Sequence, residues 1–142
     1  TDSFTYILLD CPPSLGLLTV NSLTACQSVL IPMQCEYFAM EGLTLLLETV
    51  RKIRTRFNPN LTVEGIVLTM FDRRNNLAHQ VVNEIRKHLQ FRIFKTFIPR
   101  NVRLSEAPSH GLPALLYEPS CAGAKAYLAL AEEIRAQGGS PS

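Results

Sequence analysis

The stretch Tyr6-Ile7-Leu8-Leu9-Asp10-Cys11-Pro12-Pro13 runs from four large apolar residues to a carboxylate and then to two prolines. Such an apolar run predicts a strand over Thr5–Leu9 buried on both faces, as in a parallel sheet. The prolines lack amide donors and stop the ladder, which leaves Asp10 at the carboxyl end of the strand. Ligands of open α/β sheets bind beyond those ends, where an ionised carboxylate can hold a metal-bound water beside a phosphate. The same residues also suit an Asp that orders the turn or caps a helix over Leu17–Ala25.

Other chemistry-bearing residues are scattered. His79 and His88 fall on a predicted helix and His110 in a Ser109-His110-Gly111 loop, and no Ser or Cys nucleophile is placed near them. Glu36 and Glu41 flank a helix start, where carboxylates favour the positive dipole end, so capping outweighs acid–base catalysis. Cys11, Cys26, Cys35 and Cys121 form no C-x-x-C pair and have no His at ligand spacing. Buried free thiols are expected in place of a zinc site or disulfides.

Net charge is +2, but it is unevenly spread. Between Arg73 and Arg103 stand Arg73, Arg74, Arg86, Lys87, Arg92, Lys95, Arg100 and Arg103 against Glu84 alone, whereas the flanking stretches are both acidic. That concentration is the footprint of a polyanion-binding face, and equally of a solvated helix face with loop charges pointing apart.

The elements that must position these groups alternate. Strands are predicted over Thr5–Leu9, Ser28–Met33, Val63–Met70 and Ile93–Ile98. Helices are predicted over Leu17–Ala25, Ala39–Phe57, Leu77–Leu89 and Cys121–Ala136. The second helix places Leu43, Leu46, Leu47, Val50 and Ile53 on one side; the third aligns Leu77, Val81, Val82, Ile85 and Leu89; the last aligns Ala124, Tyr127, Leu128, Ala131 and Ile134. Asn58-Pro59-Asn60 ends the second helix. The fold class is α/β, a doubly wound and mostly parallel sheet with helices on both faces. With 142 residues and 46% hydrophobic content, one globular unit is expected over 1–137, with 138–142 as a flexible tail. No apolar run nears the ~20 residues needed to span a bilayer and no leader pattern opens the chain, so a cytoplasmic protein with no membrane association is expected.

Asp10-Cys11-Pro12-Pro13-Ser14-Leu15-Gly16, then Gln34-Cys35-Glu36-Tyr37, Thr69-Met70-Phe71-Asp72 and finally Ile98-Pro99-Arg100-Asn101-Val102-Arg103-Leu104-Ser105-Glu106-Ala107-Pro108-Ser109-His110-Gly111 stand in order along the chain. In that order and spacing the chain resembles the carboxy-terminal part of the ParA/Soj family of partitioning ATPases, from about Tyr6 to about Arg135. The resemblance implies an incomplete P-loop NTPase-like fold, in which Asp10 matches the Walker B carboxylate that supports Mg²⁺ through water. It implies that Cys11, Pro12, Pro13 and Gly16 form a switch segment and that Thr69, Met70, Pro99, Arg100 and Asn101 line the base of ATP. Read from the residues alone, Met70 suits a core, Pro99 a strand end and Asn101 a turn. The resemblance places non-specific DNA contacts on Arg74 and Arg103, with Arg73, Arg86, Lys87, Arg92 and Lys95 as candidates to widen the patch. It further implies, for the intact protein, ATP and Mg²⁺ as cofactors, a homodimer, double-stranded DNA and a ParB-type centromere-binding protein as partners, and a bacterial, nucleoid-associated location.

A phosphate loop needs clustered glycines followed by Lys and Ser or Thr. None of the seven glycines here is followed by Lys. The family's signature lysines and catalytic Asp are expected upstream, so the chain reads as a fragment with no cofactor of its own. A central strand is expected to be missing between the first two, leaving strand edges unpaired and the isolated chain poorly stable. Two other readings are a membrane-cycling ATPase of the MinD type, against which the acidic Glu132 and Glu133 of the last helix argue, and a nucleotide-free DNA-binding module. The chain alone is predicted neither to hydrolyse ATP nor to bind it at micromolar affinity; turnover above a buffer control, abolished by Asp10→Asn, would overturn this.

Overall fold

Two segments rich in β-branched and apolar residues, Ser28–Gln34 (β1) and Thr62–Thr69 (β2), pair in parallel, with Ser28 opposite Thr62 and Gln34 opposite Thr69. The computed structural model describes residues 3–12, 14–88 and 90–138. Around the two strands lie helices α1 (Leu17–Ala25), α2 (Ala39–Arg56), α3 (Asn76–His88), α4 (Val102–Glu106), α5 (Ala114–Tyr117) and α6 (Ala122–Gly138), with a 3-10 turn over Ala107–His110. Pro32 sits in β1, which among the described residues pairs only with β2. A residue without an N–H is tolerated on an edge strand.

Side chains alternate across the sheet and bury on both faces. Ile31, Met33, Ile66 and Leu68 face Leu43 of α2 and Ala78, Val81, Val82 and Ile85 of α3. Val67 points the other way, into a cluster with Phe94, Ile98 and Leu130 of α6. A third cluster, Leu23, Val50, Ile53 and Leu61, joins α1 to α2. Asn58 fastens that corner by donating from Nδ2 to the carbonyls of Leu23 (3.0 Å) and Cys26 (2.8 Å), groups at the end of α1 that lack helical partners. The α/β class with a parallel sheet and helices on both faces is therefore as expected, α1 spans the predicted residues, and α2 and α3 follow the predicted periodicity.

Three expectations are corrected. Thr5–Leu9 is not a strand: Tyr6, Ile7, Leu8 and Leu9 are exposed, Leu8 at 91%, because no described strand offers them a ladder. Ile93–Ile98 is not a continuous strand either. Its ends bond to β2, through Ile66 N–H to the Arg92 carbonyl (2.8 Å), Phe94 N–H to Ile66 (2.9 Å) and Ile98 N–H to Leu68 (2.8 Å). Between them the chain leaves the ladder, and the amides of Lys95 and Thr96 donate instead to the carboxylate of Glu133 on α6 (2.8 and 3.0 Å). The stripe of α6 is only partly as predicted. Ala124 is buried and Ile134 packs on the core, but Tyr127, Leu128 and Ala131 are exposed, and Leu130 with Ala126 beside it takes their place. Gly123 sets this docking, since a Cβ there would lie 2.5 Å from Leu104 Cγ. Of the expected tail, Gly138 closes α6 and 139–142 lie outside the described residues, as do Leu89 and Pro13.

Gly65 is where the Phe94 segment meets β2. With φ 155° it follows a shift in register, and a Cβ would stand 2.7 Å from Phe94 Cε2 and 3.1 Å from the Arg92 carbonyl. Gly65→Ala should therefore lower stability by about 1–3 kcal/mol. An unchanged urea midpoint for this variant would contradict the close approach.

Candidate functional site

β2 ends in a sharp turn. Thr69 is its last residue, and Met70 follows with φ 52°, a left-handed conformation that an unbranched side chain adopts at a cost. The ladder then closes again: Phe71 N–H donates to Ile98 (3.0 Å), Arg100 N–H to Phe71 (3.3 Å), and Phe71 pairs with Pro99. This brings Thr69, Met70, Pro99, Arg100 and Asn101 to one end of the sheet, as the sequence predicts. Asn101 is the N-cap of α4, its Oδ1 accepting from the Arg103 N–H at 2.9 Å. The turn-forming role is thus real, and only the Nδ2 donors of Asn101 remain for a ligand.

Two clefts open at this end. The first, about 440 Å³, lies between the tips of β1 and β2 and is lined by Cys35, Glu36, Tyr37, Met70, Asp72 and Arg100 among others. The second, about 520 Å³, is lined by Phe71, Phe97, Pro99, Arg100, Arg73 and Arg74, with Ala122 and Ala126 of α6. Asp72 and Arg100 border both. Thr69 and Asn101 line neither. Asp10 is exposed, outside both clefts and on the unpaired segment, so the structure does not bring it to the base-side residues.

The predicted nucleotide ligands can be tested against these side chains. The first cleft offers what a planar heterocycle requires, an apolar Met70, an aromatic Tyr37 and polar groups at the rim. For the metal, the expected group is the single carboxylate of Asp10, which stands apart from both clefts, and among the described residues no three His, Cys, Asp or Glu side chains are grouped to hold an ion directly. Nor is a phosphate loop available, since no glycine precedes a lysine.

The basic residues separate into distinct roles. Arg74 is 91% exposed and turned back on Asp72, with Nε donating to Oδ1 and Nη2 to Oδ2, both at 3.2 Å. The Arg74 side chain, and then its backbone N–H at 2.9 Å, hold the Asp72 carboxyl below its ordinary range. Arg103 donates from Nη1 to Glu106 at 2.8 Å; Glu106 also accepts from the Tyr117 hydroxyl at 3.1 Å, and His110 stacks on that ring. Arg92 pairs with Glu133 at 3.2 Å and lies over the Phe94 ring, with part of its side chain still exposed. Lys87 pairs with Glu84. His79 meets the Arg73 carbonyl at 2.8 Å and the edge of Phe71. The His88 side chain is outside the described residues.

Two smaller expectations change. Glu41 does lie in the first turn of α2, but Glu36 faces the first cleft and caps nothing. Three thiols are half-buried and Cys11 is exposed. Burial pushes the Cys35 and Cys26 thiols up, which keeps them protonated near neutral pH. Glu133 was read only as a charge on the last helix. Nothing in a single sequence marks a carboxylate that will bind amides from a segment so distant along the chain.

With this geometry in place, comparison with known proteins is decisive. The chain is 57% identical to the sporulation initiation inhibitor protein Soj of Bacillus subtilis over 96% of its own length and 54% of that protein. It is 54% identical to the chromosome partitioning protein ParA of Caulobacter vibrioides over 92% of its length and 49% of the relative. The chain belongs to the ParA/Soj family. An AAA domain model matches residues 1–63. Among solved structures, cobyrinic acid a,c-diamide synthase from Mycobacterium smegmatis, with bound ATP analog and magnesium, superposes with TM-score 0.76 at 30% identity, over 92% of this chain and 47% of that one. The cell division ATPase MinD of Pyrococcus furiosus gives 0.73 at 25%, over 96% and 54%. The fold is P-loop NTPase-like, and this ParA/Soj chain spans about half the length of the curated relatives it matches.

Glu133 yields a pH prediction. Burial raises its pKa, but the amides of Lys95 and Thr96, the Thr96 side chain and Arg92 together outweigh burial and hold it below the ordinary value. A lowered folded pKa stabilises above the unfolded value of ~4.3 and is lost as pH falls through the folded one. Glu133→Gln should cost about 2 kcal/mol at neutral pH and flatten the loss of stability below about pH 5. Parallel acid-limb denaturation curves for the two proteins would contradict it.

Proposed function

We propose that the chain is the carboxy-terminal part, over 1–137, of the ATPase domain of a partition ATPase. The intact protein binds ATP with Mg²⁺, dimerises, associates with DNA irrespective of sequence, and releases it when a ParB-type centromere-binding protein stimulates hydrolysis. Within it, Asp10 acts as the Walker B carboxylate, and Thr69, Met70, Pro99, Arg100 and Asn101 surround the base. Arg74 and Arg103 contact phosphates. The setting is the bacterial cytoplasm at the nucleoid. The observation that carries this reading is the exposure of Arg74, on the turn after β2, and of Arg103, on α4, at the same end of the sheet as the base-side cleft, in a chain of ParA/Soj sequence.

A membrane-cycling role has one observation in its favour, the likeness to MinD. Against it, α6 spends Glu133 on internal hydrogen bonds and exposes the acidic Glu132, an arrangement unsuited to an anionic lipid surface. Binding to anionic vesicles would favour that role over the nucleoid.

Replacing both Arg74 and Arg103 with Glu in the intact protein should weaken duplex binding on every sequence and flatten the log–log salt slope by ~0.9 per lost contact. ATP affinity and ATP-driven dimerisation should be retained. An unchanged slope in a fluorescence titration would identify these arginines as ordinary surface charge, and joint loss of ATP binding would place them at the nucleotide.

A further inference from the structure

Both arginines are engaged by carboxylates, in different ways. Arg103 gives Nη1 to Glu106 at 2.8 Å and also meets the Tyr117 side chain. Arg74 gives one edge of its guanidinium, Nε and Nη2, to the two oxygens of Asp72. A bidentate carboxylate fills the site a phosphate would occupy, because the two anions present oxygens to the guanidinium fork in the same way. The competitor is held in place independently of the side chain it blocks. Asp72 Oδ1 also accepts the backbone N–H of Arg74 at 2.9 Å, and the Asp72 carbonyl accepts from the Asn75 N–H at 3.0 Å.

We propose that Asp72 is a built-in competitor for the polyanion at Arg74, lowering the affinity of that arginine for phosphate. This rests on the DNA-binding reading above. An arginine held in this way contacts a phosphate only after an internal ion pair breaks. Weak, readily reversed association follows, as a protein that must leave DNA repeatedly requires. The pair is exposed, so the effect is modest.

The test is a double-mutant cycle in the intact protein, titrated against a fluorescent random-sequence duplex at about 100 mM salt. Asp72→Asn keeps the Oδ1 that orders the turn and removes the charge, and Asp72→Ser keeps a hydroxyl acceptor. Each is expected to tighten binding about two- to fivefold. In an Arg74→Ala background the same substitutions should change affinity little, since the competitor then has nothing to block. Equal tightening with and without Arg74 would reduce Asp72 to general repulsion of phosphate and overturn the proposal, as would unchanged or weaker binding in the single variants. If Arg74→Ala alone leaves affinity and salt slope intact, the DNA-binding reading itself fails for this residue, and that result is distinct from the other two.

Discussion

The hydrogen bonds that β2 makes along both of its edges are what the remaining structure depends on. β1 takes one edge; residues 92–100 take the other at two separated places. With both edges occupied, β2 can be apolar throughout its second half, and Ile66 and Leu68 are wholly inaccessible. Each face then becomes a surface on which helices gain stability by burying Leu43, Ile85 or Leu130, roughly 2 kcal/mol for each large side chain. Gly65 is a condition of this arrangement, because any side chain there would hold Phe94 away from the strand.

The clefts follow from the way β2 ends. A left-handed Met70 turns the chain out of the sheet, and the Phe71 to Pro99 pairing brings the second ladder back against it. Asp72 and Arg100 are thereby fixed on the wall between the two clefts. Directly after Arg100 the cap at Asn101 starts α4, which carries Arg103. Strand termination thus sets both the base-side surface and the arginine-bearing turns, although the residues involved come from distant parts of the chain.

What could be read from the sequence was what depends on local periodicity. α2 and α3 declare themselves through their apolar spacing, and the meeting of Thr69–Met70 with Pro99–Asn101 follows from parallel strands ending at one edge. Misreadings arose where a distant partner decides. The run at Thr5–Leu9 has strand composition but no described neighbour, and composition cannot supply hydrogen bonds. Ile93–Ile98 loses its middle to Glu133, and α6, docked where Gly123 admits Leu104, buries Leu130 and exposes Tyr127 and Leu128. Helices of four or five residues, α4 and α5, are shorter than the window in which periodicity can be seen. Among site residues, the engagement of Arg74 by Asp72 lies within three residues, yet no pattern distinguishes such a pair from two independent charges.

The parallel pairing of β1 with β2 has a consequence for synthesis. Ser28 cannot find Thr62 until the whole of α2 has been made, and Ile66 then waits for residues beyond α3. No hairpin is available as an early nucleus, so loop closure must come before any ladder bond repays it. Among the described residues, β1 and α2 stand without a strand partner for several seconds until β2 emerges, at ~5–20 residues per second. The apolar edge that later organises the molecule is during that interval an adhesive surface, which the helical crossovers shelter early.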